Sequence, residues 1–237
     1  MMKKLLLLAL LAIGMTANAE TIIAGDGESE DESLLDLGQG KDQNDRWTMH
    51  FNLGVNVPTG APDGVKFAPF RSWEVGWTVG QYDYTPKNWS TTFSVGLGLE
   101  WDNYTLKGHD DMFAKVNDKV VIGNAYGGNI EDLSSRVHVL ALTMPLLIKQ
   151  RLSKNFAITV GAQLNWNYYS RLTNKYKDGD DECNISTKDI GTRPITVDLL
   201  GMFHINRVAV YCKYAPMSVL KSDRGPEFQS LSFGIRL

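Results

Sequence analysis

The sequence predicts an all-β fold, an eight-stranded antiparallel up-and-down transmembrane β-barrel, and three observations lead there. Eight segments alternate apolar and polar residues with a period of two. The polar face of these segments is mostly Gly, Ser, Thr and Asn with a single charge per strand, which suits a crowded lumen and not open water. The connections alternate between long and short, as an up-and-down membrane barrel requires.

The barrel is preceded by two segments of different character. Residues 1–19 combine Lys3 and Lys4, the apolar run Leu5 to Ile13 and a small-residue close at Ala17-Asn18-Ala19. They read as a secretory signal peptide cleaved after Ala19. Residues 20–46 carry nine carboxylates against Lys41 and Arg46, a net charge of -7, and are expected to form a disordered periplasmic tail. The whole chain of 237 residues has a net charge of only -3, so the acidity belongs to the tail. This balance excludes a dedicated nucleic-acid binder. Two cysteines and the lack of a glycine or heptad period exclude disulfide-framework, collagen-like and coiled-coil proteins.

The barrel domain spans 47–237. Its first strand sets Trp47, Met49, Phe51, Leu53, Val55 and Val57 against Thr48, His50, Asn52, Gly54 and Asn56. The second has Trp73, Val75, Trp77 and Val79 on its apolar face, and the third has Phe93, Val95, Leu97, Leu99 and Trp101. The fourth, Val137 to Ile148, is apolar on both faces. Leu140, Leu142, Met144, Leu146 and Ile148 mark its outer face, Pro145 implies a bulge or strand end, and a helix competes for the segment. Phe156 to Tyr168 alternates cleanly, followed by Ile195 to Phe203, Val208 to Tyr214 and Leu231 to Leu237.

Which face meets lipid follows from side-chain size. The bulky Trp, Phe, Leu and Val of the apolar face would overfill so narrow a lumen, so that face belongs outside. Aromatic residues at the strand ends form two expected girdles: Trp47 and Trp89 with Phe156 and Phe203 at one end, and Trp73, Trp101, Trp166, Tyr168 and Tyr214 at the other. Connections at 58–71, 102–136, 169–194 and 216–228 are long, and with both termini periplasmic they fall outside the cell.

The region from Trp47 to Leu237 resembles the PorT-like outer-membrane β-barrel domains of Bacteroidota. The resemblance rests on Met144-Pro145-Leu146-Leu147-Ile148-Lys149, on Ala157-Ile158-Thr159-Val160-Gly161-Ala162, and on the closing Ser232-Phe233-Gly234-Ile235-Arg236-Leu237. It implies an eight-stranded barrel assembled into the outer membrane, in a family whose members mostly lack an assigned activity. Many outer-membrane barrels end on an aromatic residue, whereas this chain ends on Leu237.

Inward positions carry Glu74, Glu100, Asp198, Lys213 and Arg236, with His50 and Tyr211 in phase. These residues are expected to pair as a structural polar network that fills the lumen. No catalytic, cofactor or metal set is expected. His109 with Asp110 and Asp111, and His138 near Ser134 and Ser135, make no known spacing motif. Asp178, Asp180, Asp181 and Glu182 lack the calcium-loop pattern. Cys183 and Cys212 are not expected to bridge. The expected role is therefore non-enzymatic: envelope structure, adhesion or partner binding through the long loops, with outer-membrane lipid as surroundings and a protein as possible partner. A lipid-modifying enzyme and an accessory component of a secretion or assembly machine are the alternatives.

Overall fold

The computed structural model describes residues 36–39, 45–62, 65–107, 111–124, 130–179, 181–206 and 208–237. The signal segment and most of the acidic tail lie outside them. In chain order the strands are β1 (Asp36–Gln39), β2 (Asp45–Thr59), β3 (Trp73–Tyr84), β4 (Thr91–Thr105), β5 (Asp111–Val116) and β6 (Lys119–Asn124). They continue with β7 (Ile130–Arg151), β8 (Phe156–Asp178), β9 (Asp181–Lys188), β10 (Ile195–Ile205), β11 (Val208–Ala215) and β12 (Gln229–Arg236).

Eight of these strands close a ring, in the order β2, β3, β4, β7, β8, β10, β11, β12 and back to β2. Each pairing is antiparallel, so the barrel is up-and-down. The alternation works as its residue types dictate. Thr48, Asn52 and Asn56 of β2 face inward and are buried, while Trp47 and Leu53 are exposed on the outside. The same outer face continues through Leu97, Leu146, Val160, Leu199, Val210 and Phe233, each exposed without a protein partner to cover it. Such a continuous apolar band is what lipid covers in a transmembrane barrel.

The seam between the first and last barrel strands is closed by small residues. Gly54 of β2 sits opposite Gly234 of β12. A Cβ at either position would collide with Tyr211 of β11, whose ring lies over this glycine pair.

Four features differ from the sequence-based expectation. The tail is not without structure up to Arg46: Asp36–Gln39 forms β1, pairing Asp36 with Thr48 and Gln39 with Arg46. Pro145 produces neither a bulge nor a strand end. It pairs with Gln163 and points into the lumen, where the missing side chain of Gly96 leaves room for its ring. The register shifts of β7 occur instead between Leu140 and Ala141 and between Glu131 and Ser134.

The connections expected at 102–136 and 169–194 are also largely strand. β7 and β8 run to 22 and 23 residues, about twice what a tilted crossing of the bilayer needs. The β5–β6 hairpin turns through Asn117 and Asp118, both left-handed, and β9 folds back on β8.

Finally, the lumen is not polar throughout. Leu147, Leu200, Met202, Ala209 and Tyr211 form an apolar cluster inside the barrel, towards the end that carries the short turns. At the long-loop end the interior becomes apolar again. Tyr104 of β4, Val137 and Val139 of β7 and Leu172 of β8 point inward, and Phe67, Phe113, Val120, Ile190, Leu220 and Phe228 from the connections pack on them. This core seals the long-loop mouth.

Candidate functional site

Three places hold the polar side chains from which a function could be built: the middle of the lumen, its short-turn mouth, and the outer face of the strands beyond the long-loop girdle.

In the middle of the lumen, period-two geometry brings β3, β4, β10 and β11 to a single cation. Lys213 Nζ lies 2.8 Å from Glu74 Oε2, 2.6 Å from Glu100 Oε1 and 4.0 Å from Asp198 Oδ2. Tyr211 donates its hydroxyl to Glu74. The rest of the cluster is amide-rich. Gln163 donates to Glu100 at 3.0 Å, Asn165 to Asp198 at 2.7 Å, and Asn56 to Asp102 at 3.1 Å.

Five of the seven residues expected in the lumen network thus meet: Glu74, Glu100, Asp198, Lys213 and Tyr211. Arg236 and His50 do not join them. Arg236 sits opposite Ala209, four residues along β11 from Lys213, which is about 13 Å of strand rise. Its guanidinium donates to Gln81, and His50 interacts with Thr48 at 3.1 Å and with the Leu237 carbonyl at 3.3 Å.

Asp102 belongs to the cluster and was missed, although its even-numbered place on β4 puts it in phase with Glu100. Glu74, Glu100 and Asp102 bring carboxylate oxygens within 4.8 Å of one another, the only such carboxylate, histidine and cysteine grouping among the described residues. The Lys213 ammonium lies against two of these carboxylates, Glu74 and Glu100.

The short-turn mouth is a vestibule of about 590 Å³. Arg46, Lys149, Arg151 and Arg236 line it against Asp83, with His50 and His204. The aromatic residues named from sequence stand at the two strand ends. Trp47 lies 5.5 Å from Tyr82, and Phe156 stacks on Phe203 at 5.9 Å, at the short-turn end with the exposed Trp89. Trp73 and Trp101 are 6.0 Å apart, and Trp166 and Tyr168 6.4 Å apart, at the other end, where the Tyr214 hydroxyl donates to Gln229.

The third place begins one residue pair beyond Trp101. There β7, β8 and β9 lie side by side, and their outward positions form three cross-strand rows: His138, Arg171 and Lys188; Arg136, Thr173 and Ser186; Ser134, Lys175 and Asn184. Arg71, from the connection before β3, and Arg136 both donate to the Ser134 hydroxyl, at 3.3 and 3.0 Å.

Ser135 points the other way, into the core, where its hydroxyl is engaged with Asn174 and the Phe113 amide. His138 and Ser135 therefore face opposite sides of one strand and make no nucleophile and base pair. His109, Asp110 and Asp180 lie outside the described residues, and Asp178 and Asp181 flank the β8–β9 turn. Both cysteines are free thiols, Cys183 half-buried on β9 and Cys212 exposed on the outer face of β11.

No family model and no curated protein matches the chain. Its structure is similar to the crystal structure of Ail, the attachment invasion locus protein of Yersinia pestis, with a TM-score of 0.36 and 9% identity, covering 82% of this chain and 99% of that one.

Proposed function

We propose that the protein is a non-enzymatic outer-membrane barrel with a filled lumen that serves envelope structure, adhesion or partner binding through its long-loop end. The observation that carries this reading is the double closure of the barrel. The Lys213 cluster fills the middle of the lumen, and the apolar core around Phe113 and Phe228 caps the mouth above it. Both closures argue against solute passage. The cap also ties β5, β6 and the connections before β3 and β12 to the strand ends, so what the barrel presents at this end is a shaped surface on a rigid scaffold.

In this reading the short turns and both termini face the periplasm, the signal peptide directs export, and the chain belongs with the PorT-like barrels that its strand motifs resemble.

The test has two parts. Protein inserted in planar bilayers is expected to show no steady conductance, and an open channel would overturn the closed-barrel reading. Cells carrying a chain with residues 111–124 replaced by a short linker are then compared with wild type, after a heat-modifiability gel shows that both barrels fold. Loss of surface attachment, envelope integrity or a co-purifying partner in the shortened chain supports the reading. Retention of all three overturns it.

A further inference from the structure

We propose that the outward face of β7, β8 and β9 just beyond the aromatic girdle binds the phosphate group of a lipid headgroup. The inference rests on the transmembrane reading, and three independent features carry it.

The first is depth. Trp101 pairs with Leu140 and Leu140 with Tyr169, and the His138–Arg171 pair follows directly beyond. Aromatic girdles sit at the level of the headgroups, so the next row outward meets phosphates and not acyl chains. Beneath it on the same face Leu140 and Leu142 continue the apolar band along which such chains lie.

The second is charge. Arg136, Arg171, Lys175 and Lys188 occupy three adjacent rows that contain no carboxylate. Along β7 and β8 acids appear only farther out, where Lys177 pairs with Asp132 at 3.6 Å, and on the girdle side Asp189 follows Lys188 beyond the end of β9. Like charges placed this close repel unless an anion lies between them.

The third is unmet hydrogen bonding. His138 Nδ1, Arg171 Nε and Thr173 Oγ1 are buried and have no partner, although buried polar groups are ordinarily satisfied. His138 is 4% exposed and Thr173 8%. All three residues line one cavity of about 130 Å³, which Arg136 and Lys175 also border. That is room for roughly four waters or one tetrahedral anion. Guanidinium forks match phosphate oxygens, and the imidazole and the threonine hydroxyl offer further donors. The opening lies on the face that carries the apolar band below it, so the anion it fits is one attached to a lipid.

The experiment uses the full-length protein folded in detergent, with diphosphoryl lipid A as probe and the same lipid stripped of phosphate as control. Bound lipid is counted by native mass spectrometry. Wild type is expected to retain the phosphorylated lipid at least tenfold better than the stripped one. The double variant Arg136→Gln/Arg171→Gln should lose that preference, while Lys177→Gln keeps it. Equal retention of the two lipids by wild type overturns the proposal, as does undiminished preference in the double variant. Complete displacement by millimolar inorganic phosphate would overturn the lipid as the source of the anion. If the double variant fails to fold, the two-lipid comparison on wild type decides alone. Failure of wild type itself to shift on a heat-modifiability gel would instead overturn the membrane reading beneath the proposal.

Discussion

The two halves of β4, β7 and β8 obey opposite rules. Between the girdles these strands turn Glu100, Thr143 and Asn165 inward and Leu97, Leu142 and Leu164 outward. Beyond the long-loop girdle they turn Tyr104, Val137 and Leu172 inward, and Arg136, Arg171 and Lys175 outward. The strands stay paired through the change, with one bulge at the girdle where Leu140 faces Tyr169 and Ala141 faces Asn167, and each face keeps its side of the wall, so what inverts is the solvent. Lipid outside makes an apolar exterior favourable and leaves the polar residues to satisfy one another in the lumen. Water outside restores the ordinary arrangement of a hydrophobic core beneath a charged surface.

The largest test of this contrast lies in the lumen. Lys213→Met removes the cation shared by Glu74 and Glu100 and leaves buried carboxylates uncompensated. It should destabilise the barrel by about 3–5 kcal/mol, read as a lower urea midpoint in detergent. Phe113→Ala strikes the other half. Emptying a fully buried ring should cost about 3 kcal/mol, and the damage should stay in the cap, with protease cutting within β5–β6 while the barrel keeps its heat shift. A variant that loses both together would show that the two halves are one cooperative unit.

Leu97→Arg places a charge on the apolar band midway along β4 and should cost roughly 2 kcal/mol in lipid vesicles. Tyr211→Phe removes one donor from Glu74 and should cost about 1.5 kcal/mol by the same unfolding measurement. Lys177→Ala, on the watery half, breaks an exposed ion pair and should change stability by less than about 0.5 kcal/mol.

The inversion also explains what could be read in the sequence. The strands between the girdles were legible because each pairs small polar residues with large apolar ones, as in Phe93 to Trp101. The fourth segment looked apolar on both faces because it spans the change. Leu140, Leu142, Met144, Leu146 and Ile148 face lipid, whereas Val137 and Val139 belong to the cap and Leu147 to the apolar cluster in the lumen. The strand extensions at 130–136 and 169–178 were hidden because their outward residues are charged, like those of a loop. The Asn117-Asp118 turn between Lys115-Val116 and Lys119-Val120 was a usable hairpin signal that went unread.

In the lumen, phase alone identified which residues point inward. It could not give their height, so Arg236 and His50 were grouped with a cluster they do not reach. The outward basic rows were invisible because they require the register of β9 against β8, which no local pattern encodes.

The Gly54–Gly234 seam links assembly to electrostatics. Tyr211 and Lys213 reside on β11, and Glu74, which both of them reach, resides on β3, so their contacts stretch across β12 and β2. These contacts form only once the first and last barrel strands have met, because the glycine pair is what lets Tyr211 lean across. The charged cluster thus acts as a latch on the finished cylinder. An unsealed sheet lacks the contacts of Tyr211 and Lys213 with Glu74, so the step that joins the two ends of the chain is also the step that makes the barrel hard to reopen.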